Sequence, residues 1–329
     1  MKKLLIGLLA MTSLSAAAIA QPAPAAASAA AADADPAMWV VKDEDTTIYL
    51  FGTFHMLDGR PWFNDEVKTA FDASQELVVE VLLPEDPAAQ QAMMAPLMMR
   101  YGVDPQGRTL ASRLTAEESQ KLNAQLTAMG LPAAVFDRFE PWVLTLTLTQ
   151  AAAAKLNLDA TNSPETVLRR AAQARNMPAS DLETSDFQIS MLDSMPEDAQ
   201  LTGLKEMIAN PDAGVATLRP MLEAWSRGDE AAIARITMAQ DGTDPRAYDI
   251  LFTNRNAKWA TWIDDRLDRP GTVFMAVGAG HLVGRGSVQE HLRRLNIRSE
   301  RVASSASSPA SAQAYPRCRS RSDDRCQQR

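Results

Sequence analysis

Two stretches far apart in the chain share one arrangement: TIYLFGTFHML (Thr47 to Leu57) and VFMAVGAGHLVGRGS (Val273 to Ser287) each run from an apolar strand-like segment through a glycine to a histidine three residues later. The glycines are Gly52 and Gly278 and the histidines His55 and His281, two of only three in the chain. Glycine permits a sharp turn and close approach at a strand end, so each histidine is delivered to the rim of a sheet. Open α/β sheets gather ligand sites at the carboxyl ends of their strands, so His55 and His281 are expected to be two halves of one site. Glu80, inside LVVEVLL, is a third candidate, because a carboxylate among valines is costly to bury without a partner. A cation held by two imidazoles and this carboxylate would supply that partner. So would Arg255, in LFTNRNAKW on a late helix.

The elements that must position these residues read as an α/β (α+β) fold. Thr46 to Phe51 is a β-branched and aromatic run. Trp62, Phe63, Val67, Ala70 and Phe71 then follow at helical spacing, and Leu77 to Leu83 reads as a second strand ended by Pro84. From about residue 86 to 269 the pattern is mostly helical, with a capping box at Thr115 and Glu118 and a stop at Gly130. Strand signal returns at Thr272 to Val277, followed by a helix over Val288 to Leu295 and a short strand around Arg298 to Val302. The expected architecture is a central sheet built from N- and C-terminal strand segments, with a large helical middle inserted, spanning residues 38–302.

Composition sets the compartment and excludes some partners. Residues 1–20 have a basic start at Lys2 and Lys3, a short apolar core and small residues at Ala18 and Ala20, the pattern of a cleaved signal peptide, so export to the periplasm or beyond is expected. Their removal takes two lysines and no acids from 33 basic and 41 acidic residues, moving the net charge from −8 to −10. An acidic chain is ill suited to nucleic acid, whose binding depends on clustered Lys and Arg. No other apolar run reaches the roughly 20 residues needed to span a bilayer, so no stable membrane insertion is expected. Residues 21–37 read as a disordered Ala/Pro-rich leader and 303–329 as a disordered basic tail. The tail holds Cys318 and Cys326, which either close a small loop in an oxidising compartment or are incidental.

GTFH at Gly52 to His55, Glu80, RNAKW at Arg255 to Trp259 and AVGAGHLVG at Ala276 to Gly284 resemble the TraB/PrgY/GumN family, here its GumN-like branch, over residues 38–302. That family is similar to the Tiki metal-dependent proteases and to the ChaN-like and erythromycin-esterase-like proteins. The resemblance implies a divalent-metal site (Mn, Co or Zn) with His55, Glu80 and His281 as ligands or acid/base groups, Glu80 and Arg255 as catalytic residues, and Arg255 as a charge stabiliser. It adds Glu183 and Gln188, in LETSDFQ, as lesser candidates. Two positions depart from the family pattern: Asn254 stands where an acidic residue often precedes Arg-Asn, and NSPET with Glu165 replaces a Gly-x-Asp/Glu signal.

The leading expectation is therefore a metal-dependent, peptidase-like hydrolase acting on a peptide or small-molecule amide or ester. Its rival is a non-catalytic periplasmic binding protein for peptide, haem or metal, since two histidines also suit haem. Plainer readings stand beside each feature. Either histidine alone is a turn residue, Glu80 is a structural ion-pair partner of Arg255, and His291 lies on a helix surface. The run MMAPLMMR (Met93 to Arg100) has thioethers that suit Cu(I), but methionine also fills irregular cores. Gly278, Gly280 and Gly284 imitate a dinucleotide fingerprint with its third glycine one place late and His281 in its middle.

Overall fold

The computed structural model describes residues 33–240 and 244–304. The signal sequence read in 1–20, most of the 21–37 leader, and most of the 303–329 tail with Cys318 and Cys326 lie outside the described residues. The strands are β1 (Met38–Lys42), β2 (Thr46–Thr53), β3 (Glu76–Val79), β4 (Ala179–Asp181), β5 (Gly271–Gly278) and β6 (Ser299–Arg301). They form one mixed sheet in the order β4-β3-β5-β2-β1-β6. As expected, its strands come mainly from the two ends of the folded region, with a long helical stretch between β3 and β5.

Local chemistry accounts for the central strands. β1 and β2 make an antiparallel hairpin whose turn is closed by the Thr46 amide donating to Asp43 Oδ1 at 2.8 Å. β5 is buried from Val273 to Gly278, the continuous apolar run of a parallel strand covered on both faces. It lies between β2 and β3, parallel to both, with Thr53 opposite Gly278 and Val79 opposite Ala276. β4 extends the parallel set beyond β3. Four carboxyl ends therefore line one edge, each followed within three residues by a residue singled out in the sequence: His55, Glu80, Glu183 and His281.

The helical middle has its own core. Leu126, Leu144, Leu204 and Ile208 are its most buried members, and Arg113, itself buried, ties it internally by bonds to Glu140 at 2.8 Å and Asp104 at 3.3 Å. Met94 and Met98 pack against this cluster, while Met99 on the same helix, Pro87–Tyr101, is exposed. The capping box is formed as expected, with both Thr115 and Glu118 bonds present, and Gly130 ends that helix at φ +73°. No helix of the described residues is long and apolar enough to cross a membrane.

Three features differ from the sequence reading. β1 was not anticipated. β4 interrupts the middle region read as helical; its three side chains are all exposed, so no apolar alternation marks it, and it exists because β3 offers a free edge. Glu80 lies one residue past β3 rather than inside a strand. There its carbonyl accepts from the Glu183 amide at 2.9 Å, while its side chain turns across to β5.

Leu50, fully buried in β2, joins the hairpin to the parallel core. Leu50→Ala should destabilise by about 2–5 kcal/mol through lost transfer energy and a residual cavity, measured as a shift in denaturant midpoint at unchanged slope.

Candidate active site

The structure brings the four residues expected to carry chemistry into one cluster at the carboxyl edge of the sheet. Glu80 (8% exposed), Arg255 (6%) and His281 (5%) form its buried floor, and the His55 side chain, 67% exposed, forms its rim. Gly278 is the pivot. A β-carbon built there would lie 3.2 Å from Glu80 Oε1, 3.5 Å from His281 Cδ2 and 3.6 Å from His55 Nε2. The two histidines thus face one another across Glu80, over space that a single methyl group would fill.

Each carboxylate oxygen of Glu80 has a separate task. Oε1 accepts the Gly278 amide at 2.7 Å and stands 3.8 Å from His281 Nε2. Oε2 accepts from Arg255 Nη2 at 2.7 Å and from Gln188 Nε2 at 3.3 Å. Burial alone would raise this carboxyl's pKa. Nearby positive groups, with the Gly278 amide, outweigh it and hold Glu80 ionised, well below the usual carboxylate range. The Arg255 guanidinium is the permanent charge among them.

Arg255 spends every N–H it has. Nε and Nη2 grip Glu183 in a two-pronged contact at 2.8 and 2.7 Å. The second Nη2 hydrogen goes to Glu80, and Nη1 meets the Leu251 carbonyl at 2.9 Å and His281 Nε2 at 3.1 Å. All five donors of the planar fork are accounted for. The side chain therefore supplies fixed charge and alignment, with no N–H left over for a substrate oxygen. Its helix, Asn254–Leu267, follows a π-helical turn at Asp249–Thr253, an irregularity of the kind found at functional sites. That turn presents the Leu251 carbonyl back to Arg255.

The two histidines live in opposite surroundings. His55 Nδ1 lies 2.7 Å from Glu165 Oε1, at the start of the helix Pro164–Ala174, where Ser163 is the cap and Pro164 the first residue. The Glu165 charge raises the His55 pKa, and the exposure of the ring lets water screen part of that pull. Desolvation opposes ionisation of Glu165, but the facing imidazole lowers its pKa on balance. His281 is packed between Trp259 and Phe252, with ring centroids at 4.5 and 4.8 Å. Its Nδ1 lies 2.6 Å from Asn256 Oδ1. Burial pushes its pKa down to about 3, outweighing the upward pull of Glu80, and Arg255 adds to the lowering.

Glu165 was noted in the sequence only as a departure from the family pattern; the structure makes it the partner of His55. Asn256 was part of a quoted motif without a role. Glu183 and Gln188 join the cluster, Gln188 bridging Glu80 and Glu183 at 3.3 and 3.1 Å. Ala279–Leu282 forms a short 3-10 turn, so the glycines there frame a histidine and do not open a dinucleotide-binding helix. His291 is half-buried on the helix Val288–Arg294, away from the cluster. Among the described residues no group of three or more His, Cys, Asp or Glu side chains is already spaced to hold a metal ion.

A family model matches residues 37–301, nearly the whole folded region. The chain belongs to the TraB/PrgY/gumN family. An uncharacterized protein of Treponema pallidum is 24% identical over 272 residues, covering 79% of this chain and 80% of that protein. The uncharacterized protein YbaP of Escherichia coli K12 is 28% identical over 194 residues, 57% of this chain and 70% of YbaP. No solved structure matches this chain.

Two outcomes follow from this geometry. Gly278 has φ −50° and ψ 133°, values alanine adopts freely, but its β-carbon would stand 3.2 Å from the fixed Glu80 Oε1, so Gly278→Ala should displace that carboxylate and lower the melting temperature, read by calorimetry. The pH dependence has a definite sign. A histidine whose folded pKa lies at about 3 rather than 6.5 leaves the unfolded chain binding more protons between those values, so stability rises with pH across that window. His281→Asn should flatten the dependence of melting temperature on pH between about 3 and 6.5.

Proposed function

We propose that this protein is a hydrolase of peptides, or of a related amide or ester, working at the His55–Glu80–His281 cluster with a divalent cation, Mn, Co or Zn. One observation carries the reading: two imidazoles and an ionised carboxylate converge on the bare Cα of Gly278, and each imidazole has its Nδ1 engaged by an oxygen, from Glu165 or Asn256. Oxygen partners behind the ring are the usual support of metal-bound histidine, and imidazole with carboxylate suits these cations. His55 Nε2 and Glu80 Oε1 are the donors that face the common space. His281 Nε2 joins them on exchanging its contact with Arg255 Nη1. When bound, the cation supplies a water of lowered pKa and polarises the scissile carbonyl.

The chain's own residues do the rest. Glu80 Oε1, already accepting the Gly278 amide at 2.7 Å, would hold and orient a water on that side of the site. His55, on the rim with its ring fixed by the Nδ1 contact to Glu165, offers its Nε2 lone pair to the cation. Arg255 keeps Glu80 ionised and fixes its direction. The same reading places the mature protein in the periplasm or outside the cell, with a start near Gln21 that N-terminal sequencing of the exported protein would identify.

The test is incubation of the full mature chain with a degenerate peptide library under Mn²⁺, Co²⁺ or Zn²⁺, with new termini found by mass spectrometry. Cleavage should appear with at least one metal, vanish with a chelator and be absent from the His55→Ala, His281→Ala double variant. No cleavage under any metal, together with stoichiometric binding of peptide or haem that the double variant loses, would replace the hydrolase by a carrier.

A further inference from the structure

The nitrogen atoms of His281 face two different kinds of group, and neither can change its role. Asn256 is 1% exposed, and its Nδ2 donates to the Gly286 carbonyl at 2.7 Å. Gly286 has φ +66°, in the left-handed region that favours glycine. A β-carbon there would come within 2.8 Å of Thr253 Oγ1. Its own amide donates to Glu290 Oε2 at 2.7 Å. The carbonyl that reads Asn256 is therefore held by its loop. Turning the Asn256 amide over would set two acceptors, Oδ1 and the Gly286 oxygen, against each other. The amide has one orientation, with Oδ1 toward His281 Nδ1 at 2.6 Å.

An amide oxygen only accepts, so Nδ1 must carry the hydrogen. At the other side of the ring stands Arg255 Nη1, 3.1 Å from Nε2. A guanidinium only donates, so Nε2 must carry the lone pair. The two conclusions are reached from different atoms and agree on one species.

We infer that Asn256 is a positioning residue that fixes His281 as the neutral Nδ1–H tautomer, with the Nε2 lone pair directed at the Arg255–Glu80 side of the cluster. Two adjacent residues of one helix thus hold both nitrogens of the ring. Asn256 acts through His281 and touches none of Glu80, His55 or the space beside Gly278. The assignment does not depend on the hydrolase reading; it gives His281 the acceptor atom that the reading requires, and it would hold equally in a binding protein.

The experiment is long-range proton–nitrogen correlation of the histidine rings in the uniformly nitrogen-15-labelled full chain at neutral pH, with His281→Asn identifying the signals by their loss. The expected wild-type pattern is a protonated Nδ1 and an unprotonated Nε2. Asn256→Leu, of similar volume but unable to accept, should lose that pattern in favour of Nε2–H or a mixture. A wild-type ring protonated at Nε2 would overturn the inference, even if the leucine variant fails to fold. So would a leucine variant that melts earlier but keeps the wild-type ring pattern, since that describes a packing residue alone.

Discussion

The Arg255 guanidinium is the contact on which the cluster's geometry rests. Removing a cation and two carboxylates from water costs several kcal/mol per ion, and attraction offsets this only when geometry is good and the remaining donors and acceptors are satisfied. Here they are satisfied on the donor side, with all five N–H groups engaged. Glu80 follows β3, Glu183 follows β4, and Arg255 lies on a helix that enters β5. One side chain thus fastens three chain segments separated by up to 175 residues. Breaking it would leave two buried carboxylates facing each other, so the fold and the electrostatics of the site cannot be varied independently at this position.

The sheet explains why such distant residues meet. With β5 between β2 and β3 and all three parallel, their carboxyl ends point the same way, and whatever follows each strand is gathered on one edge. The hairpin partner β1 runs the other way and contributes nothing to that edge. β4 is only three residues long and packs no core, yet it places Glu183 beside Glu80 through the ladder-like bonds of the Leu182 and Glu183 amides to the Val79 and Glu80 carbonyls. Its contribution is positional, and its sequence reflects that.

What could be read from the sequence followed from local chemistry. Glycine before histidine at a strand end implies a turn at the sheet's rim wherever it occurs, and a glutamate among valines demands a partner, so His55, Glu80, Arg255 and His281 were visible without a fold. β4 was not, because Ala179–Asp181 carries no apolar alternation and owes its form to a neighbouring edge. Glu165 stands out in the sequence only as a departure from the family pattern, and an acidic residue in a helix's first turn suits the helix dipole in any protein; only the approach of β2's end gives it a histidine. Asn256 was hidden by adjacency, since Arg255 beside it offered the more obvious charge. Residues that act through another residue leave little trace in type or spacing, because their meaning lies in which atom they face.

The contrast between the histidines gives the cluster a direction. His281 has both nitrogens committed and is shut between aromatic rings, so its protonation is set by the fold and resists change near neutral pH. His55 has its Nδ1 engaged by Glu165 and its side chain lies in the open, so its Nε2 is reached from solvent. Titratable groups driven apart by their surroundings are how one fold assigns separate acid and base duties at a single pH. The cluster is therefore open on the His55 side. Glu80 sits at the boundary, with one oxygen turned to the open space and the other held by the fixed floor of Arg255 and Gln188. The exposed His55 ring marks the rim, and the buried Arg255–Glu80 pair the floor.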